Sequence, residues 1–298
     1  MAPRVLKMLT VACALAAALG IVGEVGDQVG AAVAAAGPLH RAAPMPVTVS
    51  YGSDPNQMIT IYPSQTPGSR LVVMVPGNGF RSISNKEAMS ARALQSAGFT
   101  VFDANYRGAT SMTPAFPNAL NDIVSATEYA IAHATAYDSD PRHLTLLGGS
   151  AGGHLVAVAA EAMNSVSPGT VSNAVTLSGP FDFALGIAYW SKKKGPVAAM
   201  HLNNQLDALG CLSAATCPVA LENMWSPDQH ITSTNCPAHW LLLNSKREET
   251  PVAQADGMTG AIRAANCQVV ELIIPGSKHG FHYLADEQAV VTSFIAIN

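Results

Sequence analysis

Gly148-Gly149-Ser150-Ala151-Gly152 places one hydroxyl among four of the smallest side chains. The apolar run Leu144–Leu147 leads into it, and apolar residues at helical spacing from Gly153 to Met163 lead out. A chain that passes directly from strand to helix must bend within a few atoms. Only residues with little or no side chain two positions from the bend avoid a clash. The central residue of such an elbow takes a strained backbone conformation and projects its side chain above the sheet. A serine held there is a candidate nucleophile. The first turn of the helix behind it aims N–H groups at the same point and favours negative charge developing there.

A serine hydroxyl attacks a carbonyl only with a general base, a group that orients the base, and donors for the oxyanion. On a strand–elbow–helix architecture the partners follow in the order serine, acid, histidine. Ile273-Ile274-Pro275-Gly276-Ser277-Lys278-His279-Gly280-Phe281 supplies His279 in a loop beyond an apolar strand, with His282 as a minor alternative. The loop after the preceding strand, Asn244 to Pro251, holds Glu248 and Glu249 and no aspartate. A glutamate can hold the imidazole tautomer and stabilise the imidazolium, as an aspartate does. Glu248 is favoured, Glu249 is the alternative, and whichever is not used is a solvated loop charge beside Lys246 and Arg247. The oxyanion donors include the N–H of Ala151, directly after the serine. The rest come from Val75-Pro76-Gly77-Asn78-Gly79-Phe80, whose glycines and asparagine tolerate left-handed geometry.

These residues need a scaffold. Pro46–Tyr51 and Met58–Tyr62 alternate in polarity around a polar turn and read as a hairpin. Leu71–Val75 and Leu144–Leu147 are continuous apolar runs, the pattern of strands buried on both faces. Thr100–Ala104, Ala174–Leu177, Trp240–Leu243 and Val269–Ile274 complete eight strands. Helices are predicted over Asn85–Ser96, Leu120–Ala134, Gly153–Met163, Ala253–Ala265 and Glu287–Ile297. Alternating strands and helices imply a mostly parallel sheet with helices on both faces. Phe183–Ser226 breaks the rhythm and is too long for a simple crossover, so it reads as a small inserted cap with short helices. Its Lys192-Lys193-Lys194 reads as a solvated face. Its aromatic residues Phe183, Tyr189 and Trp190 are either core or pocket lining.

With these residues in place, the chain from about Val47 onward resembles the α/β-hydrolase fold esterases of the hormone-sensitive-lipase-like family. YGSDPNQMITIYPS resembles that family's first hairpin, and PGNGF stands where the family has HGGGF. ANYRG, AFPNALND, DPRHLTLLGGSAGGHLV, SGPFDF, MWSPDQHI and SKHGF follow collinearly. The compact cap places it closer to the acetyl- and feruloyl-esterase or formamidase-like branch. The resemblance implies Ser150 as nucleophile, His279 as base, and Asn78, Gly79 and Ala151 as oxyanion donors; this chemistry needs no cofactor, and with no CxxC or HExxH and nine scattered histidines no metal site is expected. Pro76 departs from the family's histidine and Asn78 from a glycine. The implied activity is hydrolysis of a small or medium carboxylic ester through an acyl-enzyme. Amide, formamide or peptide cleavage on the same triad is one alternative, and a binding module with a decayed triad is another.

Composition bounds the rest. The 298 residues are 49% hydrophobic and 12% charged with net charge −4, and no basic patch points to nucleic acid. Residues 1–36 carry Arg4 and Lys7, then the uncharged Met8–Gly23, then a small-residue run before Gly37-Pro38. That pattern resembles a secretory leader, and its apolar stretch falls short of the roughly 20 residues of a spanning helix. The hydrolase domain is then expected over 45–298, exported to a periplasmic or extracellular compartment, without stable membrane insertion once the leader is removed. Cys211, Cys217, Cys236 and Cys267 follow the leader, an even number suited to disulfides in an exported protein. Cys236 and Cys267 each precede a strand, which favours pairing them and leaves Cys211 to Cys217.

Overall fold

In the computed structural model, residues 43–82 and 87–298 are described. The expected leader and the first residues of the helix expected from Asn85 lie outside them. The apolar runs become the centre of one sheet. Strand β3 (Ser69–Val75) and strand β5 (Ser139–Gly149) pair in parallel, and Leu71–Val75 have no solvent exposure. Alternate residues of β3 divide between two cores. Leu71, Val73 and Val75 face one, and Val72 and Met74 face the other. This is the period-two geometry of a strand covered on both sides.

Among the described residues eight strands are ordered β1-β2-β4-β3-β5-β6-β7-β8. Strands β1 (Val47–Ser50) and β2 (Met58–Tyr62) form the expected antiparallel hairpin, and β2 runs antiparallel to β4 (Thr100–Ala104). From β4 through β3, β5, β6 (Asn173–Leu177) and β7 (His239–Ser245) to β8 (Gln268–Ile274) every pairing is parallel. Helices α1 (Ala88–Ser96) and α8 (Gln288–Ile297) pack on the Val72–Met74 face. Helices α2 (Asn118–His133), α3 (Ala151–Val166) and α7 (Val252–Ala264) cover the other. Three further helices lie between β6 and β7: α4 (Phe183–Ser191), α5 (Pro196–Leu209) and α6 (Val219–Met224).

Strand β5 starts at Ser139, well before the expected Leu144, and pairs Ser69 with Ser139 and Arg70 with Asp140 across an irregularity. The polar Ser139–His143 segment hides this extension, because its pairing is made by backbone groups and not by an apolar pattern. Two segments quoted for their family likeness are joined in space. The Arg107 guanidinium donates to both oxygens of Asp122, whose side chain is buried, and the Arg107 N–H donates to Asp122 Oδ2 at 2.8 Å. Cys236 and Cys267 are bonded at the starts of β7 and β8, and Cys211 is bonded to Cys217 after α5.

Candidate active site

Ser150 sits between β5 and α3 with φ 54° and ψ −126°, a conformation rarely taken by a residue with a side chain. Two backbone contacts hold it there. Its N–H donates to Leu177 O of β6 at 2.7 Å, and its carbonyl accepts from Gly153 N at 2.8 Å. A Cβ on Gly148 would lie 2.2 Å from Gly152 O, and one on Gly152 would lie 2.1 Å from Val75 O. The small residues flanking the serine are therefore needed for close approach, as the sequence predicts.

His279 lies in the loop after β8. Its Nδ1 is 2.7 Å from Glu248 Oε2, a bond in which Nδ1–H donates to the carboxylate. Glu248 has a fully buried side chain, and its Oε1 accepts from the Ser245 N–H at 2.7 Å and from the Tyr283 hydroxyl at 2.9 Å. With both oxygens engaged, the carboxylate has one orientation and so does the imidazole. Burial pushes the Tyr283 hydroxyl up to about 12, so it stays a donor at neutral pH. Glu249 is half-exposed and lies on the other side of the ring, its Oε2 3.8 Å from His279 Nε2. His282 lines the same cavity but is exposed, and Glu248 bonds to His279.

The Gly77–Phe80 loop runs beside the serine, since a Cβ on Gly77 would lie 2.8 Å from Ser150 Cβ. Gly79 has φ +57°, and Arg81 N–H closes a turn onto Asn78 O at 3.1 Å. Helix α5 clamps this loop. Arg81 donates through Nε to Asn204 Oδ1 at 3.2 Å and through Nη2 to Asp207 Oδ2 at 2.5 Å. The Asn204 side chain packs so close to Gly79 that a Cβ there would lie 2.2 Å from its Nδ2.

Ser150, His279, Asn78 and Gly79 line one open cavity of about 360 Å³ together with Arg81, His201, Asn204 and Glu249. Ala151 borders an adjoining recess of about 40 Å³ that also touches Ser150, His279, Phe80 and Trp190. The structure thus brings every expected site residue to one place. The expected aromatic residues divide: Phe183 is buried in the core, and Trp190 borders the recess. The lysine triplet is exposed. Sequence reasoning missed Tyr283, Arg81, Asn204 and His201. Tyr283 lies four residues beyond His279 in a short 3-10 segment, Gly280–Ala285, and that proximity was a usable signal. Asn204 and His201 carry no such signal, because α5 reaches the site only through the fold.

Comparison with known proteins finds a family match and named esterases. The model of the BD-FAE family matches residues 59–249, which include the serine elbow and Glu248 and end before His279. The chain is 26% identical over 253 residues to Esterase LipC of Mycobacterium tuberculosis (strain ATCC 25618 / H37Rv), covering 79% of this chain and 60% of that protein. It is 28% identical over 219 residues to the Probable carboxylic ester hydrolase LipM of the same strain, covering 67% of this chain and 46% of that protein. The chain thus spans only about half to three-fifths of the length of these relatives. Among solved structures, a truncated form of a carbohydrate esterase from gut microbiota superposes with a TM-score of 0.67. It shares 20% identity and covers 87% of this chain and 98% of its own. The serine elbow, the parallel sheet and these likenesses together place the chain in the BD-FAE family, on an α/β-hydrolase fold.

Proposed function

We propose that this protein is a serine hydrolase that cleaves carboxylic esters through an acyl-enzyme. The observation that carries the reading is that a serine on a strained elbow and a histidine fixed by a buried carboxylate at 2.7 Å line one cavity. The names of the curated relatives, an esterase and a probable carboxylic ester hydrolase, support the same chemistry. His279 Nε2 takes the proton of Ser150 as Oγ attacks the ester carbonyl. Glu248 keeps Nδ1 protonated and stabilises the imidazolium that forms. The N–H groups of Ala151, Asn78 and Gly79 receive the oxyanion, each such donor being worth roughly 3 kcal/mol in a comparable enzyme. His279 then protonates the leaving alcohol, and water repeats the cycle on the acyl-enzyme. None of these steps calls for a cofactor.

Residues 183–226 act as the cap of this site, because α5 supplies Asn204 and His201 to its wall. Export to an oxidising compartment is part of the same proposal and is supported by the two disulfides. The test is hydrolysis of p-nitrophenyl acetate by the purified protein and by Ser150→Ala. Wild-type turnover that drops by roughly 10⁴ to 10⁶ in the variant is the expected outcome. Turnover that survives the substitution removes Ser150 as nucleophile.

A further inference from the structure

Glu249 and His201 line the cavity yet take no part in the steps above. They come from different segments, Glu249 from the turn after β7 and His201 from α5. The His201 ring stacks on Trp190 at 4.4 Å and 17°, which fixes its plane. Its side chain is mostly buried, and Nε2 has no hydrogen-bond partner among the described residues. Glu249 Oε2 lies 3.4 Å from that nitrogen. Burial holds His201 below the usual histidine range, with Glu249 acting the other way. The Glu249 carboxylate is half-exposed on the cavity wall, with hydrogen-bonding capacity left over.

The position of this carboxylate relative to the chemistry is specific. His279 Nε2 must hand its proton to the leaving oxygen, so that oxygen binds within hydrogen-bond reach of Nε2. Glu249 Oε2 is 3.8 Å from the same nitrogen. It therefore flanks the leaving alcohol. Neighbouring oxygens of a 1,2-diol lie about one hydrogen-bond length apart. A hydroxyl next to the esterified oxygen is therefore within reach of Glu249 when the diol is turned toward it.

We propose that Glu249, which lies beside His201, is a specificity-determining residue that accepts a hydrogen bond from a free hydroxyl adjacent to the esterified carbon, making monoesters of 1,2-diols the preferred substrates. This rests on the esterase reading above. The bond is charge-assisted, and an ester without the hydroxyl leaves the carboxylate facing an apolar group.

The experiment compares kcat/KM for 2-hydroxyethyl acetate and 2-methoxyethyl acetate in the wild type, Glu249→Ala and His201→Phe, by titration of released acid. The wild type is expected to favour the hydroxyl ester by roughly tenfold or more, the scale of a hydrogen bond to a charged group. Glu249→Ala brings the ratio toward one. His201→Phe keeps a ring against Trp190 and falls between. A general disturbance of His279 lowers both esters together and leaves their ratio alone, so the ratio reports the contact. A wild-type ratio near one, or a ratio unchanged in Glu249→Ala, overturns the proposal while the esterase reading stands. No wild-type turnover of these esters or of p-nitrophenyl acetate, or turnover that survives Ser150→Ala, overturns the esterase reading and this proposal together.

Discussion

Glu248 and Glu249 are chemically identical neighbours in one turn, and their surroundings separate them completely. Glu248 is fully buried and accepts from Ser245, Tyr283 and His279, while Glu249 is half-exposed on the opposite side of the imidazole. A buried carboxylate with three donors has one orientation and fixes that of its histidine. Glu248→Gln replaces one accepting oxygen by an NH₂ group and invites the wrong imidazole tautomer. The analogous change in a well-studied triad costs about 10⁴ in kcat. We expect a loss approaching that size for Glu248→Gln on p-nitrophenyl acetate, read by steady-state kinetics, and a far smaller one for Glu249→Gln. Equal losses for the two variants would assign the orienting role wrongly.

At the scale of elements, the oxyanion loop depends on a helix distant in sequence. Arg81 in that loop is tied to Asn204 and Asp207 of α5. The Arg81–Asp207 pair is partly exposed on both sides, 39% and 30%, so its worth to stability is small. Its effect is on geometry. Donors aimed at an oxyanion act in the transition state and not in substrate binding, so misplacing them lowers kcat and leaves KM nearly alone. Asp207→Asn is therefore expected to lower kcat about tenfold at near-constant KM and to shift the melting temperature little. A rise in KM with kcat retained would place Asp207 in substrate binding instead. The same element logic explains Gly148 and Gly152, where the helix and the neighbouring strand approach the elbow too closely for any Cβ.

At the scale of the whole molecule, the core buries carboxyl groups that have no part in the site. Glu161 on α3 is pushed up to about 9, first by burial and then by the neighbouring Asp228, which burial itself raises to about 6. Asp103 on β4 is pushed up to about 7, again mainly by burial. The native state therefore holds protons that the unfolded chain has released above the usual carboxylate range. The stability these three groups contribute is full below about pH 4, and it is lost as pH rises from there through each native value. Glu161→Gln is isosteric and does not ionise. It should raise the melting temperature at pH 9 and change it little at pH 4.5, as read by thermal denaturation in the two buffers. A variant with the same deficit or gain at both values would show that Glu161 does not titrate in this window. Opposing this cost, the Cys236–Cys267 bond closes a 31-residue separation and constrains the unfolded chain by about 3–4 kcal/mol.

The sequence by itself determined the eight strands, the elbow and the order of its partners. Each of these is written in local terms: apolar runs of strand length, small residues around a serine, a histidine and two glutamates in loops after successive strands. A mostly parallel sheet covered by helices on both faces follows from that order, because parallel strands require crossover connections, and the α/β-hydrolase fold is what the family resemblance implies. The choice of Glu248 was legible only as a preference. It depends on which carboxylate the Ser245 N–H and Tyr283 hydroxyl can reach, and neighbouring positions in a turn differ in direction, not in composition. The early start of β5 was hidden because backbone pairing leaves no apolar trace. The α5 residues His201, Asn204 and Asp207 belonged to the tertiary structure alone. Asn204 and Asp207 lie 123 and 126 positions from Arg81, and no local pattern records a contact made when a helix from one crossover folds over the loop of another.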